Sequence, residues 1–187
     1  MIELEILVQV YDDVELLQSK LSQFVKKNES TIIDTYYYDP LRQKLKPHED
    51  KKLYASFRVR EKENISQITF KNDFYKDGIW QYSDELETKV GDANIIKGII
   101  DNLGLKVLAK ISSHKTYYQY KDYEIVLEEV EKLGVFLEVE LQNSAKYSDY
   151  INEKKKMQKF LNDLNLNVSN ELNCGKPELY ISKYGIN

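Results

Sequence analysis

The chain contains segments in which apolar and polar residues alternate strictly, and this pattern constrains its fold more than any other feature of the sequence. The clearest segment spans residues 135–142, where every odd-numbered residue is apolar and Glu138 and Glu140 lie on the opposite face. Residues 2–10 repeat the pattern, with Glu3 and Glu5 opposite a row of apolar side chains. Because successive side chains of a β-strand point to opposite faces, these segments predict strands with one buried face.

The same pattern predicts about eight strands, most of them antiparallel, along the whole chain. The predicted strands span residues 2–10, 31–38, 53–61, 65–71, 79–89, 107–120, 123–130 and 135–142. The dipeptide Asp77-Gly78 falls between two of them and predicts a tight hairpin. Eight antiparallel strands close naturally into a barrel that can hold one small ligand.

Four segments with helical spacing accompany the strands. The first follows Asp12 or Asp13 and runs through Val25, and the last is short and has Pro177 in its first turn. The second follows Asp92 as its N-cap, and its expected buried side comprises Ile95, Ile96, Ile99, Ile100 and Leu103. The third spans residues 145–164, and its expected apolar stripe comprises Tyr147, Tyr150, Ile151, Met157, Leu161 and Leu164.

The helices need an apolar surface to pack on, and the apolar faces of the strands provide it. If helices cover those faces from outside, the polar faces line the interior. We therefore predict a mainly β protein of the α+β class, a closed eight-stranded antiparallel barrel with a charged interior, as a single domain over residues 1–187. The alternative is a sheet whose charged face is exposed to solvent.

Pairs of like charges favour the barrel interpretation. They occur two residues apart on single strand faces, as Glu3/Glu5, Arg58/Arg60, Glu85/Glu87 and Glu138/Glu140. Neighbouring like charges repel each other, so such pairs are best explained by ligands of opposite sign. Carboxylates suit Mg²⁺ or Mn²⁺, and arginine and lysine suit phosphate oxygens. An interior with both kinds of charge predicts a metal-bound polyphosphate as the small-molecule ligand.

Bulk properties exclude several other classes. The net charge of −4 and the pI near 5.4 argue against a general nucleic-acid or anionic-membrane binder. The single Cys174 can form neither an internal disulfide nor a zinc site alone. No signal peptide or long apolar run is present, which predicts a cytoplasmic protein without a membrane partner. The oligomeric state stays open between a monomer and a homodimer.

Short motifs in a fixed order resemble the CYTH superfamily, also called triphosphate tunnel metalloenzymes. Residues 3–7 resemble its ExExK signature, 34–40 its Asp-x-Tyr segment, 57–60 its LRxR strand, 68–71 its TxK strand and 85–87 its mid-barrel ExE. Residues 127–140 are similar, almost position for position, to the block DEVEGLGTFVEIE of the class IV adenylyl cyclases. Pro177 and Tyr180 resemble the segment that closes the fold. The resemblance covers nearly the whole chain.

The resemblance implies a role for each charged position. It implies metal ligation by Glu3, Glu5, Glu138 and Glu140, substrate binding by Arg58, Arg60, Lys71, Lys115, Glu85 and Glu87, and catalysis by Glu128, Lys71 and Lys115. Four positions depart from the family pattern. Leu7 stands where ExExK has lysine, Ser113 stands where a KxR pair has lysine, with Lys115 in place of its arginine, and Glu128 replaces an aspartate. Lys110 is a candidate to compensate for Ser113.

Three functions are consistent with these features. The first is an adenylyl cyclase that converts ATP to cyclic AMP and pyrophosphate with Mg²⁺ or Mn²⁺. The second is a triphosphatase acting on tripolyphosphate, thiamine triphosphate or nucleotides. The third is a nucleotide- or polyphosphate-binding module without catalysis, which Leu7 and Ser113 would favour because each removes a cation.

Overall fold

The computed structural model describes residues 2–144 and 149–186 of the chain. Within these ranges, nine strands form one antiparallel sheet. The strands are β1 (Ile2–Glu3), β2 (Glu5–Val10), β3 (Val25–Tyr38), β4 (Ala55–Lys62), β5 (Ile65–Lys76), β6 (Ile79–Val90), β7 (Lys106–Tyr120), β8 (Tyr123–Val130) and β9 (Gly134–Leu141). The helices are α1 (Val14–Leu21), α2 (Ala93–Asn102), α3 (Tyr150–Asp163) and α4 (Lys176–Tyr184), and a short 3-10 helix spans Gln43–Leu45.

The first strand closes the sheet. The strand order is β1-β6-β5-β4-β3-β7-β8-β9-β2, so β1 and β2 lie at opposite edges although Leu4 alone separates them in the chain. Ile2 and Glu3 pair with β6, and residues 5–10 pair with β9. The two edges are therefore joined, and the sheet is nearly closed into a barrel. Because β1 and β2 are the two halves of one interrupted strand, the nine strands correspond to the eight that the sequence predicts, and this prediction is confirmed.

The hairpin between β5 and β6 is the tight turn that the sequence predicts. Asp77 and Gly78 form a two-residue connection, and both have positive φ, at 53° and 77°. A type I′ turn requires this conformation at both central positions, and it matches the twist of the flanking strands.

The outer surface of the barrel is apolar and is covered by three helices. Buried Leu17 and Leu21 of α1 and Met157 and Leu161 of α3 pack against the even-numbered residues of the first strand and their neighbours on β8 and β9. Ala93 and Ile100 of α2 pack near Val59 of β4. The helices thus cover the outward faces of the strands, which leaves the polar faces inside.

The fourth helix does not pack outside the barrel as the other helices do, and its place is the one implied by the resemblance of Pro177 and Tyr180 to the segment that closes the fold. Ile181 of α4 packs with Leu7, Tyr36 and Phe136, which belong to inward-facing rows of the strands. The segment before α4 is held to the first strand, because the Leu172 amide donates a hydrogen bond to the Leu7 carbonyl at 3.0 Å. Helix α4 therefore closes one end of the barrel.

Helix boundaries and helix faces are the main corrections to the sequence predictions. Helix α1 ends at Leu21, and Val25, expected on that helix, begins β3 and is 62% exposed. The predicted buried side of α2 is wrong at Ile95, Ile99 and Leu103, which are exposed, because the helix packs on the barrel through the side that carries Ala93 and Ile100.

Helix α3 begins at Tyr150 within the described residues, and Met157, Leu161 and Leu164 of its predicted stripe are buried. Ile151 is exposed, which corrects that stripe. The predicted helical positions 145–148, including Tyr147, lie outside the described residues. No helix in the described part of the chain is both long and apolar enough to cross a membrane.

Candidate functional site

Most of the charged residues predicted from the sequence line a single cavity inside the barrel. The alternation of each strand places them there, because residues two apart share the inner face. The cavity is lined by the predicted residues Glu3, Glu5, Arg58, Arg60, Lys71, Lys115, Glu128, Glu138 and Glu140. The solvent-exposed alternative for the charged faces is therefore wrong for these nine positions.

Two predicted residues have other placements. The Glu85 carboxylate lies 3.2 Å from the Lys71 ammonium and is largely shielded from solvent. Glu87 is exposed and does not line the cavity. Its carboxylate accepts hydrogen bonds from Gln67 Nε2 at 2.9 Å and Thr69 Oγ1 at 3.0 Å. Glu85 therefore lies next to the predicted residues that line the cavity, and Glu87 lies apart from them.

One side of the cavity carries a pair of partly buried arginines on β4. Arg60 donates through Nε and a terminal nitrogen to the two carboxylate oxygens of Asp34 on β3, at 2.8 and 2.7 Å. Arg58 lies 3.8 Å from the same carboxylate and donates to the Tyr36 hydroxyl at 3.3 Å. Burial alone would raise the pKa of Asp34, but Arg60 and Arg58 lower that pKa to about 2. Asp34 therefore fixes both guanidinium groups in place.

Lys71 joins the arginine side to the carboxylates of the first strand. Its ammonium contacts Glu3 directly and Glu85 at 3.2 Å. Burial opposes its charge, but Glu3, Glu5 and Glu85 raise the pKa of Lys71 well above its ordinary value. Burial likewise opposes the charge of Glu3, and Lys71 lowers the pKa of Glu3. Both groups are therefore charged at neutral pH.

A row of three carboxylates crosses neighbouring strands near this lysine. Glu5 on β2 lies directly opposite Glu140 on β9, which in turn lies opposite Glu124 on β8. Burial, followed by repulsion from Glu3, Glu5 and Glu124, raises the pKa of Glu140 to about 8. Burial and Glu3 raise the pKa of Glu5. Like charges placed directly opposite on adjacent strands destabilise a sheet unless something compensates them.

The part of the cavity near α4 contains two lysines and two carboxylates. Lys115 lies 3.1 Å from Glu128 and 3.4 Å from Glu138, and Lys176 at the start of α4 contacts the same two carboxylates. Burial would raise the pKa of Glu128, but Lys115 and Lys176 lower it well below its ordinary value. Burial and Lys115 lower the pKa of Lys176 to about 8, so its ammonium is still protonated at neutral pH.

Several charged residues of this cavity were not among the predicted site residues. Glu124 shares a face of β8 with Glu128, so the alternation of that strand could have identified it. Asp34 begins the Asp-x-Tyr segment of the family resemblance, and it lies directly opposite Arg60 on β4. Asp73 follows Lys71 on the same face of β5, and burial raises the pKa of Asp73 to about 6. Lys176 lies at a helix start outside any alternating segment, and no sequence signal marks it.

The cavity fits a divalent metal through its charge balance. Of the described residues that line it, nine carry carboxyl groups and five carry cationic groups. A triphosphate adds further negative charge, so divalent cations are needed to neutralise the combination. Hard oxygen donors are the ligands that Mg²⁺ and Mn²⁺ prefer. Within residues 2–144 and 149–186, no three acidic, histidine or cysteine side chains already form a ligand set. Glu3 and Glu138 instead pair with lysines.

A nearly closed antiparallel barrel with helices outside and an interior of cations and carboxylates defines the class of triphosphate tunnel proteins. The chain belongs to the CYTH domain family, whose model matches residues 1–167. It is 29% identical over 177 residues to MJ0240 of Methanocaldococcus jannaschii, which is provisionally named an adenylate cyclase. That match covers 91% of this chain and 93% of the relative.

Solved structures share the fold. The PH1819 protein of Pyrococcus horikoshii OT3 is 25% identical, with a TM-score of 0.77 and coverage of 96% of this chain and 99% of the other. HpAC1 from Hippeastrum, provisionally named an adenylyl cyclase and described as having a dominant triphosphatase activity, is 14% identical. Its TM-score is 0.65, with coverage of 99% of this chain and 97% of the other.

Proposed function

We propose that this protein is a divalent-metal-dependent adenylyl cyclase that converts ATP to cyclic AMP and pyrophosphate. The observation that carries the proposal is the single buried cavity in which Arg58, Arg60, Lys71 and Lys115 face an excess of carboxylates. The name of MJ0240 and the similarity of residues 127–140 to the cyclase block support the cyclase branch of the family.

The cations of the cavity would bind the phosphates. Arg58 and Arg60, held by Asp34, offer planar groups that match phosphate oxygens, and Lys71 and Lys115 offer ammonium groups from other strands. Because these groups are already fixed by buried partners, little reorganisation is needed when charge develops on the leaving pyrophosphate. Glu128 would act by positioning Lys115, since its own pKa is held too low for it to accept a proton.

In the proposed reaction, the 3′-hydroxyl oxygen of ATP forms a bond to the α-phosphorus and the bond from that phosphorus to the bridging oxygen breaks. The hydroxyl proton passes to the carboxylate of Glu124, the member of the row that is not a proposed metal ligand, and burial raises the pKa of Glu124. A divalent metal held by Glu3, Glu5, Glu138 and Glu140 would supply Lewis-acid chemistry, lowering the pKa of the hydroxyl and neutralising the phosphates.

A product-resolved assay tests the proposal. Purified protein is incubated with ATP and Mn²⁺ or Mg²⁺, and cyclic AMP, pyrophosphate, ADP and phosphate are separated by ion-pair chromatography. The cyclase proposal expects equal amounts of cyclic AMP and pyrophosphate. It expects turnover to be lost in Arg58→Ala and retained in Glu129→Gln, a control carboxylate exposed on the outer face of β8. Absence of cyclic AMP with both metals would refute it.

A triphosphatase is the second candidate, and the position of α4 favours it. Because α4 closes one end of the barrel, a triphosphate that enters from the other end would place its terminal phosphoryl group deepest, beside Lys115 and Lys176. Water could attack that group there. Release of phosphate from tripolyphosphate or thiamine triphosphate, without cyclic AMP from ATP, would replace the first proposal with this one.

A further inference from the structure

Aromatic side chains line the cavity at several depths, and the described residues among them are Tyr36, Tyr75, Trp80 and Tyr117. Three of these lie near α4, at the closed end. Tyr36 packs in the apolar cluster that contains Ile181 of α4. The Trp80 amide donates a hydrogen bond to the side chain of Asn173, just before α4, at 3.2 Å, and Tyr75 is the cross-strand partner of Trp80.

Tyr117 lies towards the open end, which is the end of the barrel away from α4. Ile111 of β7 packs in the cluster that contains Ile181, and Tyr117 follows it by six positions on the same inner face. Six residues of extended strand span about 20 Å. The Lys62 ammonium on β4 lies 5.1 Å from the centroid of the Tyr117 ring, and this cation–π contact helps to hold the ring in place.

The inner-face neighbours of Tyr117 are groups to which the proposed function already gives roles. Lys115, a proposed phosphate ligand, precedes it by two residues on β7. Glu124, the proposed acceptor of the 3′-hydroxyl proton, is its diagonal neighbour on β8, because Tyr117 pairs directly with Val126. From the closed end to the open end, the order is therefore a phosphate-binding cation, then a carboxylate and an aromatic ring. ATP has the same order of phosphates, ribose and base.

We infer that Tyr117 stacks on the adenine ring of ATP and is the residue by which the barrel distinguishes a nucleotide from a bare triphosphate. The inference rests on the proposed function, since it takes the phosphates to bind deeper in the cavity. A base stacked on Tyr117 leaves the ribose next to Glu124 and the α-phosphate next to Lys115. Aromatic side chains commonly hold bases in this way, because every base has a π-face.

Calorimetric titration with two ligands in Mg²⁺ tests the inference. The ligands are ATP and tripolyphosphate analogues in which methylene groups replace the bridging oxygens, so neither is cleaved during the titration. We expect Tyr117→Leu to weaken binding of the ATP analogue by about tenfold, within the usual range for one base–aromatic stack. Binding of the tripolyphosphate analogue should stay within twofold of the wild type, because it has no base.

Two further variants separate stacking from other effects of the substitution. Tyr117→Phe keeps the ring and should bind the ATP analogue within twofold of the wild type. Tyr11→Leu is the matched control, because Tyr11 is an exposed tyrosine just after β2 that does not line the cavity. An equal loss of affinity for both analogues in Tyr117→Leu, or no loss for either, would overturn the inference.

A measurement on the wild-type chain guards against misfolding of the variants. In its complex with the ATP analogue, nuclear Overhauser contacts should join the adenine protons to the ring protons of Tyr117, assigned by comparison with Tyr117→Phe. Contacts to Tyr75 or Trp80 instead would place the base beside α4 and overturn the inference while the proposed function stands. If the wild type binds neither analogue in Mg²⁺, the proposed function and the inference both fail.

Discussion

Replacing Glu140 with glutamine should stabilise the metal-free protein, although it removes a predicted metal ligand. Glu140 lies between Glu5 and Glu124 in the carboxylate row, and burial with this repulsion raises its pKa from 4.5 to about 8. The folded state therefore binds a proton more tightly than the unfolded state does. Stability contributed by this group is full below pH 4.5 and is lost as the pH rises towards 8.

The magnitude follows from the two pKa values of Glu140. At pH 7, a carboxyl group with a pKa of about 8 in the folded state and 4.5 in the unfolded state destabilises the fold by about 3 kcal/mol. At pH 4.5 the same group costs only about 0.4 kcal/mol. The neutral, isosteric glutamine avoids this cost, so Glu140→Gln should gain about 3 kcal/mol at pH 7 and almost nothing at pH 4.5.

Urea unfolding in EDTA at the two pH values measures this difference directly. Glu129→Gln serves as the control, because Glu129 is an exposed carboxylate on the same hairpin and its loss should change the free energy of unfolding by less than about 0.5 kcal/mol. Adding Mg²⁺ should shrink the advantage of Glu140→Gln, since metal bound to the wild type stabilises its folded state. A variant less stable than wild type at pH 7 in EDTA would refute the electrostatic reasoning.

Three further predictions concern the arginine pair, the metal and a helix cap. Arg60→Ala should lower the free energy of unfolding by about 2–3 kcal/mol at pH 7, because it leaves the Asp34 carboxylate with only Arg58 at 3.8 Å. In urea unfolding this loss should shrink to below about 0.5 kcal/mol near pH 2, where Asp34 is protonated in the unfolded state and half-protonated in the folded state; a pH-independent loss would contradict the assignment. Glu3→Gln should raise the Mn²⁺ concentration for half-maximal turnover by on the order of tenfold, and an unchanged Mn²⁺ titration would remove Glu3 from the metal ligands. Asp92→Ala should cost about 1 kcal/mol in urea unfolding, because the Asp92 carboxylate accepts the Asn94 and Ile95 amides at the start of α2; no loss would show that this cap is not needed.

The barrel interior was predictable because strand alternation is a local property. Residues of one parity on β4 or β9 must share a face, so Arg58 with Arg60 and Glu138 with Glu140 followed from spacing alone. The same rule fails at the ends of strands. Glu87 has the parity of Glu85 but is exposed and does not line the cavity. Parity fixes the direction of a side chain and does not fix its depth along the barrel.

Features set by tertiary packing could not be predicted in the same way. The helical spacing of α2 was correct, yet Ile95 and Ile99 are exposed because the helix packs on the barrel through the side that carries Ala93 and Ile100. The closure of the barrel end by α4 depends on the path of residues 164–175, which no periodic pattern describes. Lys176 enters the cavity only through that path. Lys110, the compensating cation suggested by the sequence, pairs with Thr35 and does not line the cavity, because it lies one position from the inward-facing Ile111.

Diffraction from crystals soaked with Mn²⁺ and tripolyphosphate tests the central claim most directly, with anomalous data collected at the manganese edge. We expect an anomalous peak inside the barrel bound by carboxylates of Glu3, Glu5, Glu138 or Glu140. We also expect phosphate oxygens within hydrogen-bonding distance of Arg58 and Lys71. Manganese and phosphate density confined to the outer surface, with the Lys71–Glu3 and Lys176–Glu138 pairs unchanged at saturating ligand, would contradict the account.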